Sequence, residues 1–124
     1  IRKKLNFGHT IGHALESYFL NKENKLTHGE AIAIGMICES FISNKIFNLD
    51  IELVLKIKNH LLRIFPKVNL QHENYEEIIK LMSFDKKNHL NKLKFVLLKD
   101  LGIVKIGVEV YENLIKESFA FYLS

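Results

Sequence analysis

The stretch Asn6-Phe7-Gly8-His9-Thr10-Ile11-Gly12-His13-Ala14 places two histidines four residues apart. On a helix that interval projects both imidazoles from one face. Two imidazoles so placed can share a metal ion, or one can hold a metal while the other moves a proton beside it. The plainer reading is a surface histidine pair. Gly8 and Gly12 repeat the same interval, and helical glycines cost about 1 kcal/mol each relative to alanine. Close approach of a ligand or of another backbone would compensate that cost, and helix packing alone is the plainer version of it.

A second group is Thr27-His28-Gly29-Glu30. His28 falls in the first turn of a helix, where the positive end of the dipole disfavours imidazolium. Neutral imidazole is the form that ligates a metal. Glu30 has an ordinary role available as the returning partner of a capping box with Thr27. The third group is Asp85-Lys86-Lys87-Asn88. Lysines at a helix end suit the dipole and can reach a phosphate or carboxylate, although a solvated charge run is the plainer reading. His60, His72 and His89 have charged or polar neighbours and read as surface residues. Cys38 lies inside an apolar helix and reads as inert packing.

These residues need elements to hold them. Gly8 to Leu20 is expected as a first helix, burying Ile11, Leu15, Tyr18 and Phe19 on a broad face. Asn21 to Lys25 is a polar loop. The box at Thr27 and Glu30 starts a second helix at His28, which should end near Asn44 to Ile46. Ala31, Ile32, Ala33, Ile34, Met36, Ile37, Phe41 and Ile42 make it apolar almost all round, as for a buried central helix. Asp50 caps a third helix carrying Leu53, Ile57, Leu61 and Ile64, stopped by Pro66. Asn74 with Glu77 forms another capping box for a fourth helix through Ile78, Ile79 and Met82. Phe95 to Leu98 and Ile103 to Ile106, around Asp100-Leu101-Gly102, form a small hairpin. Tyr111 to Leu123 returns to helical spacing. The expected fold is mainly α, with about five helices and one short β-hairpin.

Composition bounds the function. In 124 residues, 48% are hydrophobic and 26% charged, with one proline and one cysteine. This is a single domain's length, too apolar for a disordered chain. One cysteine excludes an internal disulfide framework and points to a reducing cytoplasm. No apolar run approaches the ~18 residues of a membrane span. The net charge of +4 is dispersed rather than set in the contiguous stripe that nucleic acid would want. A mild basic tilt fits an anionic small-molecule substrate. No Gly-rich strand-turn-helix occurs, so this stretch carries no nucleotide-binding half. The opening Ile1, with the unusual residues gathered near it, suggests the C-terminal piece of a longer protein.

The three groups, in this order, resemble the C-terminal domain of 3-dehydroquinate synthase. The matching stretches are Arg2 to Glu16 (RKKLNFGHTIGHALE), His28 to Met36 (HGEAIAIGM) and Asp85 to Asn88 (DKKN), with FVLL and GIVKIGV following. Leu90-Asn91 departs from the pattern, where a glycine is common. The resemblance implies one helical domain over residues 1–124, the C-terminal half of a two-domain enzyme whose N-terminal domain binds NAD. It implies a zinc (or cobalt) ion held by His9 and His28, with the third ligand, a glutamate, on the N-terminal domain. His13 matches the histidine of proton transfer. Arg2, Asn6, His9, His13, His28 and Lys86 (or Lys87) match substrate-contacting positions.

The substrate implied is a sugar-acid phosphate, 3-deoxy-D-arabino-heptulosonate 7-phosphate. It is converted to 3-dehydroquinate and phosphate in the shikimate pathway of aromatic amino acid biosynthesis. The full-length enzyme is expected to be a cytoplasmic homodimer without nucleic-acid or membrane partners, and the isolated piece inactive. A related sugar-phosphate cyclase such as 2-deoxy-scyllo-inosose synthase is the alternative enzyme. A helical module that binds metal or an anion and catalyses nothing is the alternative of a different class.

Overall fold

A computed structural model of the chain describes residues 7–82 and 92–124. Arg2, Asn6, Lys86, Lys87 and His89 lie outside the described residues. The elements run α1 (His9–Phe19), α2 (His28–Phe47), α3 (Ile51–Ile64), a short 3-10 turn (His72–Asn74), α4 (Tyr75–Lys80), β1 (Lys92–Asp100), β2 (Ile103–Tyr111) and α5 (Glu112–Leu123). Five helices with one antiparallel hairpin agree with the sequence expectation. No helix among the described residues is long and apolar enough to cross a membrane.

Helix α2 is the axis of the molecule and packs against α1, α3, α5 and β1. Its start is defined locally. The Glu30 N–H donates to Thr27 Oγ1 at 3.1 Å, and the Thr27 N–H donates to Glu30 Oε1 at 2.8 Å. Two otherwise orphaned donors are thereby satisfied by one reciprocal pair. Beyond that turn Ala31, Ala33, Ile34, Ile37, Cys38 and Ile42 are buried, as an all-round apolar helix requires. Asn48 ends it in the left-handed region, with its N–H returned to the Asn44 carbonyl.

The contact of α1 with α2 is a backbone contact. A Cβ placed on Gly35 would stand 2.0 Å from the Gly8 carbonyl oxygen and 2.9 Å from the Gly12 nitrogen. A Cβ on Gly12 would stand 3.1 Å from the Ala31 carbonyl oxygen. The compensation expected for the helical glycines is therefore the approach of a second backbone, and Gly35 is the partner that makes it possible.

Three features depart from expectation. The hairpin is longer, with Lys92 opposite Tyr111 and Asp100 opposite Ile103 across a two-residue turn. Phe95, Leu97 and Val110 face the core, and the Leu98 N–H donates to Ser43 Oγ on α2 at 3.0 Å. Asn74 does not cap α4: its backbone is already helical (φ −92°, ψ −7°) and its side chain makes no cap bond. The preceding 3-10 turn leaves no extended residue for a capping box.

Asp50 does cap α3, accepting from the Glu52 N–H at 3.0 Å. The face α3 buries, however, centres on Val54 and Lys58, while Ile64 is exposed. The Lys58 ammonium donates to the carbonyls of Phe121 at 2.6 Å and Ser124 at 3.0 Å, at the end of α5. Burial lowers its pKa. A cation on the last carbonyls of a helix satisfies orphan acceptors and complements the dipole. Of the expected stripe, Leu61 packs against the core, whereas full burial falls one residue beyond Leu53 and Ile57, on Val54 and Lys58.

The glycine contact is testable. Gly35→Ala should destabilise the fold by about 3 kcal/mol or more, since the added methyl meets backbone that cannot swing aside. A urea midpoint within error of the wild type would show that the two helices are not in backbone contact.

Candidate functional site

The antiparallel course of α1 and α2 runs through Gly8 opposite Gly35 and Gly12 opposite Ala31. Continued one turn further, it brings Glu16 to His28. Along α1 the positions 9, 13 and 16 share a stripe, being separated by four and three residues. His28 projects from the first turn of α2 into that stripe. The result is one cluster of three imidazoles drawn from two helices. Ring centres are 5.0 Å apart for His9 and His13, 6.0 Å for His9 and His28, and 6.1 Å for His13 and His28. His9 is half-buried, whereas His13 and His28 are exposed. A shallow open depression lined by His13, Glu16, Ser17 and Leu20 adjoins them.

Two of the rings are held by the same atom. His28 Nδ1 lies 3.0 Å from Glu16 Oε1, and His9 Nδ1 lies 3.3 Å from the Phe7 carbonyl oxygen. An acceptor at Nδ1 places the proton there and leaves the Nε2 lone pair for a ligand. His13 differs. Among the described residues neither of its ring nitrogens has a hydrogen-bond partner.

Two imidazoles sharing a tetrahedral ion at about 2.0–2.1 Å would stand with ring centres roughly 5 Å apart. The 5.0 Å between His9 and His13 equals that spacing, and the 6.0 Å between His9 and His28 is wider than it. Among the described residues, no group of three or more His, Cys, Asp or Glu side chains is arranged to hold a metal ion. Of the residues singled out from sequence, the structure thus brings together His9, His13 and His28. Arg2, Asn6 and Lys86 fall outside the described residues.

The comparisons with known proteins decide the family. The model for "3-dehydroquinate synthase C-terminal" matches residues 1–88. The chain belongs to this family. The 3-dehydroquinate synthase of Parabacteroides distasonis is 38% identical over 122 residues, covering 98% of this chain and 35% of that protein. That of Clostridium botulinum is 42% identical over 101 residues, covering 82% of this chain and 28% of that protein. A crystal structure of 2-deoxy-scyllo-inosose synthase complexed with carbaglucose-6-phosphate, NAD+ and Co2+ superposes with a TM-score of 0.69. It is 28% identical, covering 91% of this chain and 32% of that one. The chain spans about a third of the length of these relatives.

Within this 3-dehydroquinate synthase C-terminal fold, two glutamates matter that sequence reading passed over. Glu16 closes the first histidine motif and stands seven residues after His9 on the same helical stripe. Glu39 was lost in the apolar run of α2, where a lone acidic residue was the available signal. Glu39 is fully buried and accepts from the Gly8 N–H at 2.7 Å and the Ile11 N–H at 3.1 Å. Gly8 offers no side chain to cap α1, so a carboxyl group from the neighbouring helix caps it instead, on either side of His9. Cys38 is inert as expected: it is buried, and desolvation pushes its thiol well up.

Burial pushes the Glu39 carboxyl up to about 8, against the downward pull of the two N–H groups. A carboxyl raised in the folded state takes its proton more readily there than when unfolded. Its contribution to stability is therefore full below about 4.5 and is lost as pH rises through about 8. Wild-type stability should fall across that window, whereas Glu39→Gln, which has no carboxyl to titrate there, should lack this fall, so the difference between the two proteins should change with pH. Parallel urea midpoints of both proteins from pH 4.5 to 8.5 would contradict the assignment.

Proposed function

We propose that this chain is the helical C-terminal part of a two-domain 3-dehydroquinate synthase, forming one domain over residues 1–124 and supplying one wall of its active site. The observation that carries the reading is the three-histidine cluster, with His9 and His28 both offering Nε2. The substrate class is a sugar-acid phosphate, 3-deoxy-D-arabino-heptulosonate 7-phosphate, converted to 3-dehydroquinate and phosphate in the shikimate pathway. The reading extends to a cytoplasmic homodimer for the full-length enzyme on the family resemblance alone.

His9 and His28 would hold a zinc or cobalt ion, with the remaining protein ligand supplied from outside this chain. A bound metal of this kind supplies Lewis acidity to a substrate hydroxyl. NAD would be held by the rest of the enzyme and would supply hydride-transfer chemistry. His13 stands 5.0 Å from His9, ring centre to ring centre, and its ring nitrogens, without a hydrogen-bond partner among the described residues, suit it to take and return the hydroxyl proton. Arg2 and Lys86 would bind the substrate's anionic groups by charge-assisted hydrogen bonds, and Asn6 would orient it. Glu30 takes no part, being spent in the capping box.

The chain alone should release no phosphate from this substrate. Substituted for the matching third of the Parabacteroides distasonis enzyme, it should restore NAD-dependent formation of 3-dehydroquinate. In that chimaera His28→Ala should lose both metal and activity. His13→Ala should keep its metal and lose about 10²- to 10⁴-fold in turnover, as for removal of a general acid–base. Full metal with near-normal turnover would eliminate His13 as the proton-transfer group. Turnover of a hexose 6-phosphate in place of the seven-carbon acid would favour the 2-deoxy-scyllo-inosose synthase reading.

A further inference from the structure

We infer that Glu16 is the positioning residue of His28: its carboxylate holds the imidazole as the Nδ1–H tautomer and so presents Nε2 to the cleft between α1 and α2. The geometry is specific. Glu16 lies on α1 two helical turns beyond His9, and Oε1 lies 3.0 Å from His28 Nδ1 across the helix pair. Of the three clustered rings, His9 and His28 have an acceptor at Nδ1, the first a backbone carbonyl and the second this carboxylate. Two different acceptors therefore produce one result, a pair of rings offering the same atom.

A plain surface ion pair between Glu16 and a protonated His28 is the competing account, since the side chains are 34% and 60% exposed. The two accounts differ at the second nitrogen: the neutral Nδ1–H ring keeps a lone pair on Nε2, and the imidazolium has none. The carboxylate does more than orient the ring. Acceptance of the Nδ1 proton raises the basicity of Nε2, and such outer partners change metal affinity by about 10- to 100-fold. That consequence, unlike the tautomer, rests on the reading of His9 and His28 as metal-holding residues.

The test has two arms, both on the 124-residue chain. In the first, 15N NMR of the imidazoles at about pH 8, above the ordinary histidine range, reports the tautomer of each ring. Wild type should show His28 as Nδ1–H. Glu16→Gln should preserve it, because the amide oxygen accepts the same bond. Glu16→Ala should move His28 toward Nε2–H while leaving His9 unchanged, a selectivity that a general loosening of the fold would not give. The second arm is titration with Co2+ alone, where Glu16→Ala should weaken binding about tenfold or more and Glu16→Gln less. An Nδ1–H tautomer at His28 that survives Glu16→Ala overturns the proposal, as does a shift shared equally by His9. Failure of wild type to bind Co2+ would count against the metal reading only, and the tautomer arm decides the role of Glu16 by itself.

Discussion

Everything chemical in this chain depends on one backbone contact. At Gly35 there is room for a hydrogen and not for a methyl, because the Gly8 carbonyl of α1 would stand 2.0 Å from a Cβ there. That approach sets the register of an antiparallel helix pair: Gly8 to Gly35, then Gly12 to Ala31, then Glu16 to His28. His9 follows Gly8 directly, and His28 precedes Gly35 by seven residues, two turns of the same helix face. A helix pair held apart by ordinary side chains would sit about 8–10 Å between axes. The glycines bring the backbones closer, and the histidine rings meet as a consequence.

The two helix starts at this crossing are capped in opposite ways. The start of α2 is self-contained, since Thr27 and Glu30 satisfy each other. His28 is thus free to project from a rigid first turn. The start of α1 has no local cap and borrows Glu39 from α2. That borrowed carboxylate does two things: it satisfies donors of α1 and ties the segment carrying His9 to the helix carrying His28. Its burial works against the charged form, which raises its pKa. A buried carboxyl is tolerated here because both of its oxygens have backbone partners.

What could be read from the residues followed from how local the physics was. The box at Thr27, the cap at Asp50 and the all-round apolar face of α2 are settled within a turn or two, and each reading held. The suggestion that Gly8 and Gly12 admit another backbone was also correct, but the partner, Gly35, lies beyond local range. The misses share that cause. Lys58 is buried because the end of α5, more than sixty residues on, offers it carbonyls. The Asn74 box failed because a 3-10 turn had already bent the chain. Glu39, a lone acidic residue in the apolar run of α2, is the cap of a different helix. In the site, the interval between His9 and His13 named a shared face, while the arrival of His28 needed the crossing.

The cluster stands at the margin of this scaffold rather than inside it. A single exposed hydrogen bond such as that from His28 to Glu16 contributes only about 0.5–1.5 kcal/mol, far too little to assemble a site from mobile parts. It has no need to assemble anything, because the glycine crossing has already placed both residues. The weak contact can then act on one variable, the proton position on a ring, where a small bias is sufficient. Such a division suits a wall that is completed from outside. Buried backbone packing holds the imidazoles at fixed spacing, with His13 and His28 exposed and His9 half-buried.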